Sequence, residues 1–108
     1  MKKSQWLAES AALIEQHFLL ESPLLDAVPF GESQEQELLE QLTLHIRSLL
    51  DQDMPRLLQA LYRIDVAESK VNAILSLAKP ELIAPSLAQL IIDREYQKVE
   101  TRKRYSSH

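Results

Sequence analysis

LLQALYRIDVAESKVNAIL, residues Leu57 to Leu75, reads as two short helices joined by one sharp turn. Leu57, Leu58, Leu61 and Ile64 recur at helical spacing, and a second apolar stripe follows at Ala67, Val71, Ile74, Leu75 and Ala78. Asp65 breaks the first stripe and Glu68 follows three residues later, which is the spacing of a capping box. In such a box the Asp65 carboxylate accepts from the Glu68 amide, while the Glu68 side chain reaches back to the amide of Asp65. Losing a cap of this kind costs about 1 kcal/mol, so Asp65 has a structural role before any chemical one. The remaining helices read as a cover for this pair.

Upstream, Ser33 and Gln36 form a second capping-box pair at the start of a helix expected over 34–51, with Leu39, Leu42, Ile46 and Leu49 on one face. Glu35, Glu37 and Glu40 crowd its first two turns, where the helix dipole favours acids. Asp51-Gln52-Asp53 reads as a turn, and Pro55 suits the start of the third helix, which runs to Ile64. So short a link implies an antiparallel packing of helices two and three. Further back, Ser4 is placed to cap a first helix over 5–20, with Leu7, Ala11, Ile14 and Phe18 as its stripe. Ser22-Pro23 ends it, because the residue before proline avoids the helical region. The connector that follows, with Leu24, Leu25, Val28 and Phe30, is too apolar for a solvated linker.

Downstream, a fourth helix is expected over 66–77 and a fifth from Glu81, interrupted by Lys79-Pro80. Ile83, Leu87, Leu90 and Ile91 give the last helix one apolar face, and Ile92, Tyr96 and Val99 continue along a different one. Beyond Asp93 the chain turns polar, so this end is expected to project from the bundle and to fray near Tyr105.

The composition agrees with a helical reading. The chain has 108 residues, one glycine and an apolar fraction of 45 % built mostly from Leu, Ile and Ala, whereas strand-rich domains need more turn glycine and β-branched residues. With no cysteine there is no disulfide framework, no thiolate metal site and no thiol nucleophile. No stretch approaches the ~20 apolar residues of a membrane span, and Glu9 and Glu15 interrupt the signal-like start, so a cytoplasmic location is expected. Residues 1–53 carry net −7 and residues 54–108 net +3, within a formal total of −4. An acidic front half argues against non-specific nucleic-acid binding by the whole surface.

Few residues suggest chemistry. His17, His45 and His108 are isolated, and no Glu-x-x-His pair of the di-iron bundle kind is present, so no metal and no cofactor are expected. No serine sits in a Gly-x-Ser-x-Gly elbow and no glycine-rich loop cradles phosphate, so no catalytic residue is assigned. A helix–turn–helix reading puts Glu68, Ser69, Lys70 and Asn72 toward a DNA groove. Against it, Leu61 stands where a small residue allows close helix crossing, and Asp65 where such turns carry glycine. Arg94, Lys98 and Arg102, four apart, form a basic stripe, most simply explained as cations favoured at a helix C-terminus, with Glu100 placed to pair with Arg104. Ile92, Tyr96 and Val99 beside Lys98 and Arg102 leave that helix as a candidate partner surface.

LYRIDVAESKV (Leu61 to Val71) and LIIDREYQK (Leu90 to Lys98) resemble a group of small bacterial proteins that share a Leu-Tyr-Arg-Ile-Asp-Val-x-Glu core and an Ile-Ile-x-Arg-x-x-Gln-Lys ending. The resemblance covers the last half of the chain and leaves residues 1–35 out. It implies an all-helical domain and no particular activity, and it draws attention to Tyr62, Arg63, Asp65, Arg94 and Gln97. An ion pair of Arg94 or Arg63 with Asp65 or Glu68 would lock the final helix onto the turn.

These readings converge on an all-α, single-domain bundle of about five helices. Residues 1–33 form an N-terminal helix and apolar connector, 34–104 a core bundle of helices two to five, and 105–108 a frayed tail. The function expected is a non-enzymatic protein–protein interaction module, self-associating or binding another protein. The alternative is DNA binding through residues 57–75 and the basic C-terminal helix.

Overall fold

The computed structural model describes residues 9–14, 16 and 33–106. Residues 9–14 and 16 are helical and represent the N-terminal helix, α1. There follow α2 (Ser33–Gln52), α3 (Met54–Ile64), α4 (Glu68–Leu75), a 3-10 turn (Pro80–Leu82) and α5 (Ile83–Ser106). The described residues contain no strand, and the helices pack as one all-α bundle. The expected Ser4 cap, the end of the first helix near Pro23, the apolar connector, the Ser33 side chain with its capping box, and residues 107–108 lie outside the described residues.

The organising element is α5 rather than the 57–75 pair. It packs along α2 over the largest contact in the described bundle, and it also meets α3 and α4. Its Ala84, Leu87, Ala88, Ile91 and Ile92 are buried in one cluster with Leu38, Leu42, Ile46 and Leu49 of α2. Leu57, Ala60, Leu61 and Ile64 of α3 join them, together with Ala11 and Ile14 of α1. Each full burial of a Leu or Ile side chain stabilises by roughly 1.5–3 kcal/mol, so this cluster supplies the main driving force. On α2 the buried stripe begins at Leu38, and Leu39, expected on that face, is only partly buried.

Between α2 and α3 the expected three-residue turn shrinks to Asp53 alone. Its amide donates to Leu49 O at 2.8 Å, and its Oδ1 accepts from the Arg56 amide at 3.3 Å, so one residue closes one helix and caps the next. Pro55 occupies the first turn, where its missing amide proton is not needed.

The junction at Asp65 differs from the capping box. Asp65 lies in the left-handed region (φ 64°, ψ 50°) and terminates α3, its amide donating to the carbonyls of Leu61 at 3.0 Å and Tyr62 at 3.1 Å. The N-cap of α4 is Ala67, in an extended conformation and with no side-chain cap bond. Asp65 thus stands two residues ahead of the cap position, and the expected reciprocal bonds with Glu68 do not form; Glu68 is an exposed first-turn acid. The physical reason is competition for one residue. The chain must reverse at 65, aspartate is among the few non-glycine residues that tolerate left-handed backbone, and that use rotates its carboxylate away from α4.

Nor do α3 and α4 close into a hairpin. They make no close approach to each other, and each docks separately on α5. α4 ends at Leu75, short of the expected Leu77, where the Ser76 hydroxyl donates to Asn72 O at 2.8 Å. At the far end, α5 is helical through Ser106, past the expected fraying point, and Arg104 donates to Glu100 at 3.0 Å across one turn.

Candidate functional site

A cleft of about 300 Å³ opens between the Asp65 turn and α5, lined among others by Asp65, Lys70, Leu90, Asp93, Arg94 and Gln97. Both stretches that carry the bacterial resemblance therefore meet here. Arg94 is the centre of the arrangement: its Nε–H donates to the Asp65 carbonyl at 3.0 Å, Nη2 to Asp65 Oδ2 at 3.4 Å, and Nη1 to Gln97 Oε1 at 2.8 Å. The first of these bonds satisfies a carbonyl at the end of α3 that no helical amide can reach. The second is weak, because the Asp65 side chain is 84 % exposed and water screens the pair. Arg63, the other cation considered for this pair, sits exposed in the last turn of α3, where the helix dipole favours it.

Chemically the cleft is a clasp. Three of the guanidinium donors are committed within the fold, and Asp93, on the same wall, accepts from Gln89 at 2.9 Å. Among the described residues no three or more His, Asp or Glu side chains converge as metal ligands would.

The candidate partner surface on α5 is not an outward surface. Ile92 and Val99 are buried at 1 % and 0 % exposure, Tyr96 is half-buried, and only Arg102 of that set is exposed. Lys98 turns to Glu95, its Nζ donating to Oε1 at 3.2 Å. The two apolar faces read from the sequence belong to a helix contacted by neighbours on more than one side, so both are core. Two polar residues, Ser10 and Glu95, are buried with no exposed surface, and the sequence reading names neither; Glu95 is the one on α5. Its signal was legible, since it lies four residues after buried Ile91 and four before buried Val99, in the middle of an inward row.

Two titratable groups are perturbed. Burial, then the nearby Glu35 and Asp93 charges, push the Tyr96 hydroxyl up to about 12, and that hydroxyl finds no hydrogen-bond partner among the described residues. His45, partly buried on α2, is held below its ordinary value by burial and then by the Arg56 charge, which favours the neutral ring.

Exposed apolar surface appears where the sequence reading placed core. Leu58, counted in the α3 stripe, is 46 % exposed, and Tyr62 one turn later is 87 % exposed. With exposed Pro55 they form a row along the outer face of α3, opposite buried Leu57, Ala60, Leu61 and Ile64. A second apolar feature, a groove of about 420 Å³ bordered by Leu39, Thr43, Leu44 and Pro85, crosses α2 and the start of α5. No described helix is long and apolar enough to cross a membrane. Comparison with protein-family models, with curated proteins and with solved structures finds no match.

Proposed function

We propose that this chain is a non-enzymatic, cytoplasmic helical module that binds another protein through the outer face of α3. The observation that carries the reading is the Pro55–Leu58–Tyr62 row. An aromatic side chain held almost wholly in water on a rigid helix is the residue type that anchors interfaces, offering large contact area at small entropic cost. Support also comes from the clasp: Arg94 fixes the end of α3 against α5, so the row is presented on a pre-positioned helix.

The test compares proximity cross-linking from Tyr62 in source cells with the Leu58→Ser/Tyr62→Ser variant, whose fold is checked by circular dichroism. Specific cross-linked proteins that lose binding to the folded double variant are the expected result. An unchanged partner set, or none in the wild type, removes the reading.

DNA binding is the second reading, and one observation favours it. Asp65 adopts the left-handed conformation that glycine usually supplies in a helix–turn–helix turn, leaving Glu68, Ser69, Lys70 and Asn72 exposed on α4. The separation of α3 from α4 and the acidic net charge count against it. A gel shift with duplex DNA that weakens steeply with salt would restore it.

A further inference from the structure

We propose that the outer face of α2 docks on the same face of a second copy of this chain, antiparallel, about a two-fold axis passing between Thr43 and Leu44. This contact is separate from the α3 face and does not rest on it. Its floor is the groove of about 420 Å³ where α2 meets the start of α5. Leu44 there is 56 % exposed, and Leu39 and Pro85 are half-buried. Thr43 donates its hydroxyl to Leu39 O at 2.6 Å, so it enters a dry contact with its donor satisfied. Glu40 and Arg47 border the same groove. The Arg47 side chain is exposed and makes no ion pair or hydrogen bond among the described residues. Glu40 accepts from the neutral Gln36 amide at 3.1 Å, which leaves its charge uncompensated among the described residues.

Charge order selects the occupant. Glu40 and Arg47 are seven residues apart, which puts them on one row of α2 about 10 Å from each other. A uniformly acidic partner helix would set a like charge against Glu40, and a uniformly basic one would set a like charge against Arg47. The groove calls for a helix with a base and an acid at the same spacing in reverse order, and α2 run antiparallel is that helix. The axis between 43 and 44 sets Glu40 opposite the partner's Arg47 and Arg47 opposite the partner's Glu40, the self-complementarity of an isologous interface. In that register Asp51 falls opposite the partner's Gln36, Leu44 meets the partner's Leu44 beside the axis, and no acid faces an acid. Parallel pairing in register stacks like on like. Slipping the antiparallel register by two turns sets Glu40 against Glu40, or Arg47 against Arg47. Two copies of net charge −4 repel each other, but at physiological salt that repulsion decays over about 8 Å, and at closer range the two ion pairs act.

The experiment is sedimentation equilibrium of the whole purified chain, where the wild type should show a concentration-dependent monomer–dimer equilibrium. Glu40→Arg, which sets an arginine against Arg47, and Arg47→Glu, which sets a glutamate against Glu40, should each weaken the dimer by roughly tenfold or more. Glu40→Arg should do so although it makes each copy less negative, which separates facing charges from net charge. The two variants mixed should associate as tightly as the wild type, because each supplies the charge the other lacks. The double variant Glu40→Arg/Arg47→Glu should do so alone. Leu44→Ser should weaken the dimer, and Tyr62→Ser should leave it intact. All substituted side chains are exposed, and unchanged thermal melts verify that the variants fold. A chain that stays monomeric up to its solubility limit overturns the proposal, as does a dimer indifferent to Glu40→Arg or a mixture no tighter than either variant. A dimer lost with Tyr62→Ser puts the contact on α3, and a monomer whose Leu44 cross-links to a different protein puts that protein in the groove; each also overturns it.

Discussion

Arg94→Met, made in the wild type and again on an Asp65→Gly background, separates the two halves of the clasp. Methionine keeps most of the aliphatic stem and removes every donor. The structure assigns the larger share to Nε–H donating to the Asp65 carbonyl at 3.0 Å, a charge-assisted bond at a partly exposed site, worth about 1 kcal/mol. The Nη2 contact with Oδ2 at 3.4 Å, to a carboxylate 84 % exposed, adds no more than about 0.5 kcal/mol. Arg94→Met should therefore cost about 1.5 kcal/mol in the wild type. On the glycine background it should still cost about 1 kcal/mol, because the carbonyl acceptor survives. Asp65→Gly alone should be nearly neutral, since glycine accepts φ 64° without strain while gaining freedom in the unfolded chain. Urea unfolding at pH 7 measures all four proteins, and the wild-type substitution should lower Tm by about 6–10 °C. If Arg94→Met were harmless on the glycine background, the coupling would sit in the carboxylate and the backbone clasp would be wrong. If it were harmless in both, the clasp would contribute nothing to stability.

Three further outcomes follow from burial and charge. Tyr96→Phe should leave stability at pH 7 unchanged or slightly higher, since it deletes a buried hydroxyl that has no partner among the described residues. The raised Tyr96 pKa makes stability complete below pH 10 and lost as pH rises toward about 12, an alkaline arm that Phe should flatten in chemical denaturation. His45 has the opposite sense: its lowered pKa gives stability that is present above about 6.5 and falls as the unfolded chain protonates first, so His45→Gln should reduce the acid-side slope. Ile91→Ala, at a position with no exposed surface, should cost about 2–4 kcal/mol, whereas Tyr62→Ser should stay within about 0.5 kcal/mol; a large loss in the latter would place Tyr62 in the core.

How far the site was legible depends on what each residue answers to. Asp65 reads as a corner because it interrupts an apolar stripe, but spacing alone does not distinguish a residue that closes the helix before it from one that opens the helix after it. The two roles differ by a backbone rotation, and the one adopted leaves the Asp65 carbonyl within reach of Arg94, 29 residues away. Leu58 illustrates the converse: it counts with the apolar stripe of α3 in the sequence, yet whether a leucine there is covered depends on which helices arrive at that face.

The helices themselves were settled locally. Apolar periodicity, the prolines at 55 and 80, the acids at the start of α2 and the near absence of glycine fix where segments coil and break, because those preferences act within one or two turns. Tertiary packing decided which helix is central, how Ile92 and Val99 became core, and why Tyr62 is left in water. Burial is a property of the neighbours a face meets, and those neighbours are chosen by the bundle as a whole rather than by the residues that carry the face.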